Sequence, residues 1–451
     1  MIKLVKEILN KLGYNCDTLM QSHMVVWQHW YEGFVKDFHM YNVYNGKQMV
    51  GRIRESLRMP KRVCEDWADM LLNEKVVINV GDEGINERLK AVFTSNDFYV
   101  EGNRLIEKAF ALGTAAFVEY ADAKGNPVID YIPGDMIYPI SWTGTRVTEC
   151  AFASLKSING EEVYYINIHT KNSAGNYVIQ NRLFRKTDGK EIDISGIAEG
   201  SYDTGSPNKR FQIICPNVAN NIEKYTPLGI SVFANAIAEM KGIDLVYDSY
   251  VNEFRLGKKR IMIPVSALQT VKEENGEVTP LFDYNDTEFY ALPGVGAEEQ
   301  TIKEMNMELR GQPHKEALQV QLNLFSDACG MGEDRYEFEK SGGVKTAREV
   351  ISENSKLFRT LKKHEIVLKS ALISLVTALL EIMNIKEDVK TVIEFDDSII
   401  EDTDTEFNRR LQMVSVGAMK NWELRAWQLN ETEEEAKKAL EEAEKDNIFE
   451  E

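Results

Sequence analysis

The stretch from Thr226 to Arg260 sets the plan of this chain. Pro227 and Gly229 punctuate its start, and no further proline comes until Pro264. Apolar residues recur at Ile230, Phe233, Ile237, Met240, Tyr247, Val251 and Phe254, at intervals of three, four or seven, the spacing that lines up one face of a helix. Gly242 is the one weak point inside it. Roughly 26 helical residues at about 1.5 Å each span about 39 Å, longer than most globular helices. Gly257 reads as a C′ glycine, and Lys258, Lys259 and Arg260 place positive charge beside the free carbonyls at the helix end. A strand-like run, Arg260 to Ile263, follows at once.

Two further helical stretches answer it. His314 to Cys329 carries Leu318, Leu322, Phe325 and Cys329 on one face, and Thr346 to Met383 opens with the capping-box pattern Thr346-Ala347-Arg348-Glu349. A long helix therefore leads out to a β-containing excursion at 258–312, and a second helix leads back. A tip carried on a rod is architecture for an assembly rather than for a small-molecule pocket.

At 451 residues the chain can bury a sizeable core and should contain more than one folded unit. Five scattered cysteines (Cys16, Cys64, Cys150, Cys215, Cys329) form no CxxC pair, which favours a reduced setting over a disulfide framework. The N-terminus lacks the apolar core of a signal peptide, and the most apolar stretch, Ala371 to Met383, is too short to span a bilayer and contains Glu381. The expectation is a protein without a membrane anchor. A net charge of −19 argues against a surface that clamps nucleic acid, since phosphate binding needs lysine and arginine. Residues 396–451 hold 17 acids against 7 bases, so over half of the excess sits in the last eighth of the chain.

The order of elements is that of an α+β protein. Residues 1–112 read as mostly helical, with amphipathic stretches at Met1 to Leu12, Met20 to Phe34, Arg62 to Asn73 and Gly84 to Ser95. Trp27, Trp30, Tyr31, Phe34, Phe38, Tyr41 and Tyr44 crowd one segment. They read as core or subunit contact, because a stacking platform for bases would need interleaved cations that are nearly absent. From Gly113 the pattern turns to strands, with hairpins at Ala116–Tyr120 with Val128–Ile132 and at Val163–Ile168 with Tyr177–Phe184. The excursion reads as three short strands at Arg260 to Val265, Glu288 to Leu292 and Thr301 to Leu309, with a polar loop at Lys272 to Val278. A strand at Thr391 to Phe395 closes the body, and the tail reads as helices at Thr405 to Met419, Trp422 to Leu429 and Thr432 to Asp446.

Motifs for chemistry are sparse. His23, His29 and His39 have spacings of six and ten, which fit no common metal-ligand pattern. Gly343-Val344-Lys345-Thr346 lacks the Gly-Lys-Thr order of a phosphate-binding loop, and Phe338 stands where its first glycine should be. Asp396-Asp397 after a strand reads as solvated loop charge rather than a nuclease site. No catalytic residue, metal or cofactor is expected. Gly342-Gly343 remains, set between a strand and the longest helix and flanked by Lys340 and Lys345. It reads either as a basic connector or as a mobile loop presented to a polyanion.

In its order of parts the chain resembles the portal (head-to-tail connector) proteins of tailed bacteriophages, of the siphophage type of Firmicutes hosts. The residues that carry the resemblance are Pro227-Leu228-Gly229-Ile230-Ser231 with the helix holding Asp244-Leu245-Val246-Tyr247-Asp248-Ser249 and Asn252-Glu253-Phe254. Gly343-Val344-Lys345-Thr346-Ala347-Arg348-Glu349-Val350-Ile351-Ser352 and the tail motifs Leu424-Arg425-Ala426-Trp427 and Glu433-Glu434-Glu435-Ala436 add to it.

The resemblance implies a dodecameric ring around a DNA channel at the capsid vertex, a structural and non-enzymatic part of the virion. On that plan 1–225 and 332–400 belong to the wing, 226–257 and 313–331 to the stem, 258–312 to the clip and 401–451 to a short crown. Lys340, Ser341, Gly342, Gly343, Val344 and Lys345 correspond to the tunnel loop facing the channel. Lys258, Lys259 and Arg260 mark the stem-to-clip junction, and Phe233, Ile237, Tyr247, Val251 and Phe254 the subunit interface. The implied partners are copies of itself, double-stranded DNA without sequence preference, the terminase large subunit, a head-completion adaptor, and the major capsid and scaffolding proteins, with no membrane. The implied place is the head–tail junction of the virion, reached from the host cytoplasm. The alternative of another class is a DNA-packaging enzyme or nuclease, which would hydrolyse ATP or cut DNA.

Overall fold

The computed structural model describes residues 2–257 except 45–46, 123–124 and 195–198. It also describes short strands between 260 and 305, residues 308–337 except 334, 347–395 except 386–388, and 403–440 except 430 and 434–435. Helices α1 (Ile2–Lys11), α2 (Leu19–Glu32) and α3 (Lys36–His39) lead into a hairpin of β1 (Met40–Tyr44) and β2 (Met49–Ile53). Then come α4 (Met59–Leu71), β3 (Val77–Asn79), α5 (Glu83–Ser95) and α6 (Phe98–Leu112). Strands β4 (Ala115–Ala121) and β5 (Pro127–Pro133) form a second hairpin. A meander of β6 (Ile137–Thr143), β7 (Arg146–Ile158), β8 (Glu161–Lys171), β9 (Tyr177–Arg185) and β10 (Glu191–Ile192) follows, with β11 (Ser201–Asp203) also paired to β9. Strand β12 (Phe211–Ile214) returns beside β4.

The rest of the chain begins with α7 (Ile237–Leu256). Strands β13 (Arg260–Pro264), β14 (Thr270–Lys272), β15 (Val278–Pro280), β16 (Phe289–Leu292) and β17 (Lys303–Met305) come between it and α8 (Gly311–Ala328). The 36-residue α9 (Ala347–Ile382), β18 (Val392–Glu394), α10 (Thr403–Ser415) and α11 (Asn421–Leu429) complete it. The excursion thus holds five described strands rather than three. β13 lies at the centre of one sheet, parallel to β16 and antiparallel to β17, while β14 and β15 make a separate hairpin around the polar loop.

The core gathers where distant helices meet. The Trp67 indole of α4 is fully buried, stacks on Phe110 of α6 at 5.8 Å and meets the His364 ring of α9 edge-on at 4.8 Å. Its Nε1–H donates to the carbonyl of Cys329 at 3.3 Å, so α4, α6, α9 and the end of α8 share one node. Strand β4, buried along Ala115 to Val118, sits between β12 and β5 in the sheet on which α9 packs. All five cysteines are free. Among the described residues no helix is long and apolar enough to cross a membrane.

The long helix starts later than its apolar spacing predicts. Residues 227–236 are instead held against the end of α6. Gly113 takes a left-handed φ of 82°, and a Cβ there would lie 2.5 Å from the backbone carbon of Ile230. A Cβ on Gly229 would in turn lie 2.3 Å from the Gly113 carbonyl oxygen. The Thr114 hydroxyl accepts from the Gly229 N–H at 3.0 Å, and the Phe110 carbonyl accepts from Ser231 Oγ at 3.1 Å and from the Val232 N–H at 3.0 Å. These bonds occupy the backbone that a helix starting at Thr226 would need. Phe233 consequently turns into the core and is 0% exposed. At the other end, Gly257 caps α7 at φ −79°, not in the left-handed form a C′ glycine implies. It is required by space, since a Cβ would meet the Glu253 carbonyl at 2.5 Å and Leu309 at 2.6 Å.

Two buried histidines make the fold acid-sensitive. Burial, with Arg210 adding to it, lowers His169 to about 3, and burial with Lys363 lowers His364 likewise to about 3. Each is neutral when folded and binds a proton when unfolded, so its contribution is complete above about pH 6.5 and is lost as pH falls toward 3. At pH 5 each histidine should cost about 2 kcal/mol relative to pH 7. Glu119, pushed up by burial, works in the opposite direction and offsets part of this. Urea midpoints at pH 7 and pH 5 should therefore separate clearly. His364→Asn, which keeps an acceptor for the Asn217 N–H now bound to Nδ1 at 3.0 Å, should narrow the gap. An unchanged gap would show that His364 is not one of its sources.

Candidate assembly surface

Helix α7 carries two acids one turn apart, Asp244 and Asp248, each only 5% exposed. An unpaired buried carboxylate would cost several kcal/mol, so each must be met by donors. Asp244 accepts from the Leu57 N–H at 2.9 Å and from His39 Nε2 at 3.1 Å. Asp248 accepts from the Glu55 N–H, the Tyr41 hydroxyl and Asn252 Nδ2, each at 3.1 Å. Burial, together with donation to Asp248, raises the Tyr41 phenol above its ordinary value. On the surface Arg255 adds an ion pair to Glu55 at 2.6 Å. One edge of the helix thereby fixes the β1–β2 hairpin and the segment that follows it.

Helix α8 runs antiparallel to α7, since 242 meets 321, 249 meets 314 and 253 meets 310. Gly242 admits Gln321, whose Oε1 would lie 2.3 Å from a Cβ there, so the predicted weak point is where the Gln321 side chain lies against α7. The Ser249 hydroxyl and His314 Nε2 are hydrogen-bonded at 3.1 Å. Arg310 forks onto Glu253 at 2.7 and 3.0 Å, and its hydrogen bonds hold that carboxyl down at about 2.

The pair has two open flanks. On one, Leu57, Tyr247, Tyr250, Gly311, His314 and Leu318 are among the residues lining an apolar slot of about 400 Å³. Phe254 stands beside it, 48% exposed, its ring edge-on to Tyr250 at 5.0 Å. On the other flank Leu245 of α7 and Val320 and Leu324 of α8 are 54%, 58% and 52% exposed. Leu245 and Phe254 are nine residues apart, which at about 100° per residue places them on opposite sides of α7.

Of the apolar stripe read from the sequence, Phe233 is buried within the chain and is not available to a neighbour. Ile237 begins α7 and packs partly on the core, Tyr247 and Val251 are half-buried, and Phe254 is open. The stripe is therefore inward at its base and outward at its top. Arg260 is the first residue of β13, opposite Met305 of β17. Lys258, Lys259, the loop from Lys340 to Lys345 and the pair Asp396-Asp397 lie outside the described residues. His39 is spent on Asp244 and His23 faces Glu223 at 3.4 Å. Among the described residues no group of three or more His, Cys, Asp or Glu could hold a metal ion. Asp244 and Asp248 entered the sequence reading only as part of the resemblance; their anchoring of the hairpin, and the slot, were missed. The acids at i and i+4 within an apolar pattern were the available signal for the first.

Residues 25–448 match the model of one protein family, described as "Phage portal protein, SPP1 Gp6-like". No curated protein matches the chain.

Proposed function

The chain belongs to the SPP1 Gp6-like phage portal proteins, and from that premise we propose that it closes into a ring at one capsid vertex and conducts double-stranded DNA during packaging and ejection. In this reading α7 and α8 are the stem, the strands between them the clip, and residues 401–451 the crown. The clip docks the terminase large subunit and later the head-completion adaptor, and the body contacts capsid and scaffolding proteins. The loop at Lys340 to Lys345 faces the channel and gives DNA weak, screened contacts. The residues quoted for the resemblance extend the proposal to siphophages of Firmicutes hosts. A net charge of −19 suits a conduit that must let phosphate slide rather than hold it.

One observation carries the proposal, namely the two unlike apolar flanks on opposite sides of the helix pair. A ring of identical subunits needs a heterologous contact, in which one patch meets a different patch on the next copy. A slot with Phe254 on one side and Leu245, Val320 and Leu324 on the other meet that requirement. Exposed apolar surface of this kind is costly on a lone chain.

Phe254→Asp and Leu324→Asp should each reduce rings to monomers in light scattering, because an interface would bury an unpaired charge. Mixed together, the two variants should give dimers and nothing larger, since each keeps the flank the other lacks. Monomeric wild-type protein at micromolar concentration would sink the proposal, as would rings formed by both variants. ATP hydrolysis or DNA cleavage by the purified protein would favour the packaging-enzyme reading instead.

A further inference from the structure

Away from the helix pair, three cations from separate elements converge on one recess. Arg146 opens β7, Lys171 ends β8 and Lys209 lies just before β12. With Thr148, Ser374 and Thr377 they line a space of about 350 Å³ at the foot of α9. Among the described residues none of the three forms an ion pair with a carboxylate. Lys209 Nζ reaches the Val147 carbonyl at 3.5 Å and lies over the Phe211 ring at 5.3 Å, while Lys171 Nζ lies over the Tyr177 ring at 5.0 Å.

Unpaired like charges held close together in a protein of net −19 need a reason, since each could have been offset by one of many acids. The nearby carboxyls do not supply the offset. Glu119 is fully buried, takes a hydrogen bond from Gln212 at 3.5 Å, and is pushed well above the usual carboxylate range by burial. Glu149 accepts the Lys171 backbone N–H at 2.8 Å rather than its ammonium. Burial and then Arg146 lower Lys209, the mark of a cation with too little counter-charge.

The hydroxyl protons around the recess are already committed. Thr148 donates to the Ser141 carbonyl, Ser374 to that of Ser370 and Thr377 to that of Ile373, each at 3.0 Å. Two ammonium groups and a guanidinium are left as the charged donors, beside the amides of Asn208 and Gln212. Charge of three around one space suits an anion carrying more than one negative charge, and a guanidinium fork matches tetrahedral oxygens. We propose that the recess of Arg146, Lys171 and Lys209 binds a phosphate-class anion, taken either from free phosphate or from the phosphodiester backbone of DNA.

The test uses the full chain and inorganic pyrophosphate, titrated by calorimetry against sodium chloride of matched ionic strength. Saturable binding is expected for the wild type. Arg146→Gln with Lys171→Gln, both at exposed positions, should weaken it at least tenfold, while Arg146→Lys, which keeps the charge and loses the fork, should weaken it by less than the double variant. Lys209→Met, with circular dichroism to confirm the fold, should weaken it similarly. A short DNA duplex that displaces pyrophosphate identifies the backbone phosphate as the source, and one that does not identifies free phosphate. Absence of saturable binding, or equal binding by the double variant, overturns the site. Light scattering on the same samples keeps this result separate from ring assembly.

Discussion

Replacing Gly113 by valine is expected to be among the most damaging single changes in the chain. The position combines two demands that usually occur apart. Its φ of 82° lies in the left-handed region, where a side chain costs roughly 1–2 kcal/mol and a β-branched one more. Any Cβ also runs into the backbone of Ile230 and Gly229, which cannot move aside as a flexible side chain would. Overpacking of this kind adds about 1–3 kcal/mol, so the total approaches about 4 kcal/mol in a fold whose whole stability is on the order of 10 kcal/mol. Gly144 provides the control, since it has φ +63° but nothing within 4 Å of a Cβ. Gly144→Val should cost only the conformational part. Equal losses for both variants in urea denaturation would refute the role given to the crossing of Gly113 and Gly229.

The second large effect concerns Asp244. Asp244→Leu should cost about 3 kcal/mol, because it strands the Leu57 N–H and His39 Nε2 in a buried place and removes two hydrogen bonds to a charged acceptor. The loss should be local before it is global. Amide exchange at Glu55 and Leu57 should speed up more than at Val118 or Phe152, which lie in the sheets of the body. Asp248→Asn, which keeps an acceptor for the Tyr41 hydroxyl, should be milder. Uniform acceleration across the chain would mean that Asp244 supports the whole body rather than the hairpin.

The parts legible in the sequence were those whose signal is local. Strands β4 and β5, and β8 and β9, fall where alternating apolar residues flank turn-forming residues, and in the second hairpin Lys171 pairs with Tyr177 around the turn at Asn172–Asn176. Helices α8 and α9 fall within a few residues of their predicted ends. Helix α6 lies within the stretch read as mostly helical but was not resolved as an element of its own, and Gly102 interrupts its pattern. That glycine is instead the place where the Leu72 side chain comes within 2.9 Å of a would-be Cβ. Strands β6 and β7 escaped too, their pairing shifted by irregularities between Pro139 and Trp142. The start of α7 is set by a contact with residue 113, and the slot depends on Leu57. Its N–H meets Asp244 across 187 positions of chain, a distance that no local pattern encodes. Phe254 alone among the predicted surface residues was both apolar and open, on the last turn of α7.

The register at the base of the excursion has a consequence of its own. Arg260 sits opposite Met305, and just inside that point Glu253 grips Arg310, so the strands entering and leaving are clipped together where they join the helices. Antiparallel partners stand about 5 Å apart. The helices thus meet the insertion through two neighbouring points, whatever lies between them. Such a segment can behave as a cassette: changes within it need not alter the geometry of the frame beneath, because only the two joining points are shared.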